Sequence, residues 1–141
     1  MYPLQFKYYG LNLSNEDTTE NVGKTFNATS KFIKSAIRRD NANVLIHCST
    51  GNNLGALFMA AYLIKELDFT IGDALRHIKS IRPKIKPQAV LLSQLQAYET
   101  IVIAEKRRLE FQQVQDLLKI DKAKKGKVKE KTMNSAEISS R

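Results

Sequence analysis

One stretch of this sequence sets a reactive side chain where its chemistry would be used. The apolar run Val44-Leu45-Ile46 leads directly into His47-Cys48-Ser49-Thr50-Gly51-Asn52-Asn53-Leu54, and Cys48 is the only cysteine in the chain. A short, continuous apolar run is the pattern of a strand buried on both faces, as in a parallel sheet covered by helices. Such a strand delivers Cys48 to its C-terminal end, where small residues precede a helix starting near Leu54. Successive backbone N–H groups in a loop of this kind turn inward and form an anion nest, and the helix N-terminus adds positive potential. The same field favours a thiolate, the form in which cysteine is a nucleophile. The chemistry this would serve is attack on a phosphate ester. A cysteine ending a strand is also a common inert core residue, and the pattern alone leaves both readings open.

The elements that must hold this loop are readable from periodicity. Leu4, Phe6, Tyr8, Leu11 and Leu13 alternate as in a strand, broken at Gly10. Ser14 to Thr19 is a polar loop. Val22, Phe26, Ile33 and Ile37 recur at helical spacing, with Phe32 and Ala36 widening the face, and the last turn, Lys34 to Arg39, is basic. Asp40 to Asn43 form a turn. A helix is expected from Leu54 to about Leu67. Thr70 can cap a further helix, Ile71 to about Ile81, with Asp73 in its first turn. Arg82-Pro83-Lys84-Ile85-Lys86-Pro87 interrupts the pattern. Pro87 can open a final helix through Val90, Leu91, Leu95, Tyr98, Ile101 and Val102. Its charged continuation, Glu105 to Lys119, still carries Leu109, Phe111, Val114, Leu117 and Leu118. The order of elements predicts an α/β domain with a central, mostly parallel sheet. The sheet is thin for the number of helices, so part of it is expected to be missing.

Composition narrows the classes of function. At 141 residues, with 43% hydrophobic and 26% charged residues, the chain has room for one domain with a real core. No apolar run approaches the ~20 residues that span a bilayer, and the first residues lack a signal peptide's basic start and apolar stretch. A lone cysteine permits no intrachain disulfide and fits a reducing compartment. With two histidines and one cysteine, no zinc site of ordinary spacing is expected, and no cofactor is implied. The net charge is +9, and residues 121–141, with seven basic residues against three acidic ones, contribute +4 of it. This stretch reads as a disordered basic tail, with a nuclear-localisation or anionic-surface contact as the alternative. Nucleic-acid reading is not expected, because interleaved aromatics and groove-reading motifs are missing. His77 reads as a surface histidine.

The string Val44 to Gly51 resembles the signature of the dual-specificity phosphatases, a branch of the protein tyrosine phosphatase superfamily: His-Cys, five residues, then Arg, usually followed by Ser or Thr. Ala61-Tyr62-Leu63-Ile64, Asp73-Ala74-Leu75, Ile81-Arg82-Pro83, Pro87 and Gln94 to Glu99 follow the family's order and spacing, as do Tyr8 to Leu13 and Asn21 upstream. The resemblance covers roughly residues 4–104. It implies that Cys48 is the nucleophile, that His47 holds the loop and depresses the thiol pKa, and that the amides of Ser49, Thr50, Gly51, Asn52, Asn53 and Leu54 cradle phosphate. It also implies an acid for the leaving oxygen, Asp17, or Glu16 if the loop is one residue out of register.

Three departures from the family pattern matter. Leu54 stands where the family has its phosphate-binding arginine, Gly55 where it has Ser or Thr, and Gln88 where it has Asn. Leucine cannot supply a two-pronged charged contact. Arg82, Lys84 and Lys86, in a loop that borders the pocket in the family, are candidates to replace it. Family domains also have strands and a helix before the Tyr8 strand. The expected layout is therefore a partial phosphatase-like domain over 1–104, a helical extension over 105–120 and the tail over 121–141. The expected function is a catalytically dead or impaired phosphatase, a pseudophosphatase, that binds a phosphoprotein or a signalling kinase or phosphatase. A weakly active phosphatase using Cys48 and a redox-sensitive thiol protein are the alternatives. A cytoplasmic or nuclear location and a homodimer through an exposed sheet edge complete the expectations.

Overall fold

The structure, a computed structural model, describes residues 6–13, 22–39 and 41–138, with side chains described as far as residue 124. Four helices follow one another: α1 (Gly23–Arg39), α2 (Leu54–Leu67), α3 (Ile71–Ile81) and α4 (Ala89–Ile138). The chain divides into two compact units, one ending at Val102 and one starting at Ile103.

In the first unit α2 is the central element. Nine of its fourteen residues are buried, among them Leu57, Ala60, Ala61 and Ile64. A helix apolar on nearly every side must be surrounded by other elements, and α1 and α3 both pack against it. From α1 come Phe26 and Ile33; Phe26 is fully buried and meets the rings of Phe58 and Tyr98 edge-on, at 5.3 Å in each case. From α3 come Ala74 and Ile78. The first turns of α4 close the core with Leu91, Leu95, Tyr98 and Val102.

Helix ends are tied by side chains, as orphan backbone groups require. Thr70 caps α3 by accepting the Asp73 N–H at 3.1 Å, and its hydroxyl donates to the Asp73 carboxylate at 2.7 Å. The carboxylate of Glu99, 28 residues away, accepts the Ile71 N–H at 2.7 Å. Asp68 ends α2 in the left-handed conformation, with its N–H donated to the Leu63 carbonyl. Gln94 ties α4 to the start of α1 by accepting the Gly23 N–H.

The α/β layout predicts a central sheet; among the described residues no strand is assigned, and 6–13 and 42–48 lack regular secondary structure. Two expectations are corrected here. Val44-Leu45-Ile46 is not buried on both faces. Val44, Ile46 and Cys48 are half-buried against the helices, while Leu45 is 86% exposed and His47 also faces outward. One face is covered by the core, while Leu45 on the other is left uncovered among the described residues. Ile37, Val90 and Ile101, assigned to helix core faces, are exposed.

Helix α4 continues as regular backbone through 121–138, where composition favours an unfolded tail. Lysine, glutamate and alanine are strong helix formers, and no proline interrupts the stretch. In the second unit Leu109, Phe111, Val114, Leu117 and Leu118 are all more than half exposed.

Candidate phosphate-binding loop and the family of the chain

The loop begins where extended chain meets α2. Ser49 to Asn53 turn through bends, and Gly51 sits at φ +68°, in the left-handed region that a side chain disfavours. This reversal lets several amides converge on one point. The Gly55 N–H donates to the Cys48 sulfur at 3.4 Å. Burial pushes the Cys48 thiol up, but the N–H groups of Gly55, Gly51 and Asn53 and the Thr50 hydroxyl outweigh it and hold the thiol below its ordinary value. The loop therefore favours the thiolate through its backbone, the arrangement needed for a nucleophile or for an anion nest.

Each residue named from sequence has a definite place, except two. Cys48 is half-buried at the head of the loop, Ser49 and Thr50 are exposed, and Gly51 and Asn52 are partly covered. The Thr50 hydroxyl accepts the Asn52 N–H at 3.5 Å. His47 is exposed and is not among the groups that lower the thiol pKa. Leu54 opens α2 and is 7% exposed, packed into the hydrophobic core. Its side chain is thus a core component and does not line the loop. Asp17 and the alternative Glu16 lie outside the described residues.

Asn53 has a role that residue type alone does not reveal. It is buried, and its side-chain oxygen accepts the Gln88 N–H at 3.1 Å. Alongside, the Lys86 N–H donates to the Asn52 carbonyl at 2.9 Å. These two bonds fasten the segment between α3 and α4 to the loop. The only available signal was the family position of the segment, since the partners are some 34 residues apart. A Cβ at Gly55 would lie 3.6 Å from the Cys48 sulfur, an ordinary contact. Among the described residues no group of three or more His, Cys, Asp or Glu is placed to hold a metal ion. No described helix is long and apolar enough to cross a membrane.

Comparison with known proteins gives a consistent picture. Residues 4–101 match the family described as dual specificity phosphatase, catalytic domain. The chain is 35% identical over 107 residues to the protein phosphatase Slingshot homolog of Xenopus laevis, covering 76% of this chain and 15% of that protein. It is 37% identical over 83 residues to the tyrosine-protein phosphatase yvh1 of Schizosaccharomyces pombe, covering 59% of this chain and 25% of that one. The chain thus spans a quarter or less of the length of these relatives. Among solved structures it is similar to the human tyrosine phosphatase-like serine/threonine/tyrosine-interacting protein, with a TM-score of 0.65 and 30% identity over 70% of this chain and 64% of the other. Human DUSP28 gives a TM-score of 0.62 at 26% identity, over 65% and 64%. The helices around the Cys48 loop are arranged as in a phosphatase fold, and the chain belongs to the dual-specificity phosphatase catalytic-domain family.

Proposed function

We propose that the Cys48 loop binds the phosphoryl group of a phosphoprotein and turns it over slowly or not at all, so that the protein acts as a pseudophosphatase. The observation that carries this reading is the placement of Leu54: the position from which the family directs its arginine is occupied by a side chain buried in the core. An active site of this class would have the Cys48 thiolate attack phosphorus as the bond to the leaving oxygen breaks, with the carboxyl of Asp17 (or Glu16) giving that oxygen its proton. Charge builds on the equatorial oxygens in that step, and losing one oxyanion donor costs ~10²–10³ in rate. Gly55 also lacks the hydroxyl that helps hydrolyse the phosphoenzyme. Binding by backbone amides survives both losses, because those amides come from the chain itself.

The test is hydrolysis of a generic aryl phosphate. Turnover at the level of an ordinary phosphatase, abolished by Cys48→Ser, overturns the proposal. A second reading, a weak but genuine phosphatase, is supported by the lowered thiol pKa; it requires a phosphoenzyme that can be trapped on Cys48. The same thiolate would also serve a redox-sensitive protein, tested by reversible oxidation of Cys48 with peroxide.

The remaining expectations stand as proposals of the same reading: a cytoplasmic location, a signalling kinase or phosphatase as partner, and a domain limit near 104. The central sheet of the fold is proposed to form when a further strand pairs with the extended edge at 43–47. A second copy of the chain is one source of that strand, and a concentration-independent monomer mass in solution would exclude it.

A further inference from the structure

Gly51 has a neighbour from outside its own loop. A Cβ built on Gly51 would lie 2.6 Å from Nη2 of Arg82 and 3.5 Å from its Cζ. The Arg82 guanidinium therefore rests in contact with Gly51, the same residue whose amide helps to lower the pKa of Cys48. The placement follows from the chain. Arg82 ends α3, its carbonyl accepts the Ile85 N–H at 3.2 Å, and Ile85 is buried. Anchoring Ile85 inward fixes the turn, and the bonds from Lys86 to Asn52 and from Gln88 to Asn53 hold that turn against the loop. The Arg82 side chain is exposed, and among the described residues no carboxylate or other acceptor pairs with its guanidinium. A planar, permanently charged fork beside a ring of amides is suited to grip two oxygens of one tetrahedral anion.

We infer that Arg82 supplies to the Cys48 loop the oxyanion-binding guanidinium that position 54 lacks, and that the ligand class is a phosphomonoester dianion or free phosphate. This rests on the reading that the loop binds phosphoryl groups. The replacement is a binding residue reaching in from the end of α3, so it grips the oxygens from a different side than a side chain at the start of α2 would.

The experiment measures how inorganic phosphate protects Cys48 of the full chain from iodoacetamide. Wild type is compared with Arg82→Ala, Arg82→Lys and Lys84→Ala, and the circular-dichroism melt of each variant is recorded. A charge-assisted contact is worth enough that Arg82→Ala should need about tenfold more phosphate for half-protection. Arg82→Lys keeps the charge without the fork and should fall between Arg82→Ala and wild type, while Lys84→Ala should stay within about twofold of wild type. Should Arg82→Ala fail to fold, the difference between Arg82→Lys and wild type decides. Equal protection in wild type and the Arg82 variants overturns the inference and leaves phosphate binding by the loop intact. An equal loss in Lys84→Ala overturns it in favour of general positive potential. A wild type that phosphate does not protect removes both the inference and the reading beneath it.

Discussion

Returning the family arginine at position 54 puts the proposed impairment to a quantitative test. Leu54→Arg exchanges a side chain that is 7% exposed and packed among core residues. Fully burying a leucine contributes ~1.5–3 kcal/mol. The arginine stem can cover part of the same surface while its head leaves for the loop, so the net loss of stability should be about 1–2 kcal/mol. A domain with the usual ~5–15 kcal/mol remains folded after such a loss. Against it stands a gain of ~10²–10³ in rate for one oxyanion donor. The gain should fall at the lower end, ~10², if Arg82 already grips the anion. The assay is kcat/KM for an aryl phosphate, paired with a urea midpoint to show that the variant is folded. The increase must vanish in Leu54→Arg/Cys48→Ser. A folded Leu54→Arg variant within threefold of wild type would refute the argument that the missing guanidinium limits turnover.

Three further outcomes are expected. The alkylation rate of Cys48 should titrate with a midpoint below the ~8.5 of a free cysteine, since the loop lowers its pKa; by the sign for a depressed acid, the associated stability is complete above the unfolded thiol's pKa and is lost as pH falls through the folded value. Gly51→Ala should cost about 1 kcal/mol in a denaturation midpoint for its φ of +68° and displace the Arg82 guanidinium, whereas Gly10→Ala, with nothing within 4 Å, should not weaken phosphate protection of Cys48. Phe26→Ala empties the point where α1, α2 and α4 meet and should cost ~3–5 kcal/mol in urea unfolding.

Local physics explains what could be read directly from the sequence. Helices α2 and α3 follow the expected limits, because the apolar run from Leu54 and the Thr70 cap act within a turn or two of themselves. The loop that runs from Cys48 into α2 is legible for the same reason. The error at Leu45 came from reading an apolar run as burial on two faces, when apolarity says only that a residue prefers cover. Ile37 and Val90 failed similarly: each continues a helical stripe past the surface that packs against it. The Arg82–Gly51 contact and the Asn53–Gln88 bond join positions 31 and 35 residues apart, and no periodicity or turn preference marks such pairs. The helix through 121–138 shows composition competing with propensity, since lysine-rich sequence disfavours a core but not a helical backbone.

The space beside Gly55 makes the two losses in the loop unequal as historical events. A serine Cβ there would lie 3.6 Å from the thiol sulfur, an ordinary contact. Leu54 is packed in the core, so exchanging it for arginine gives up part of that burial. Regaining the hydroxyl therefore leaves core burial untouched, while return of the arginine gives some of it up. Selection restoring activity would therefore meet a lower barrier by strengthening Arg82 than by rebuilding position 54.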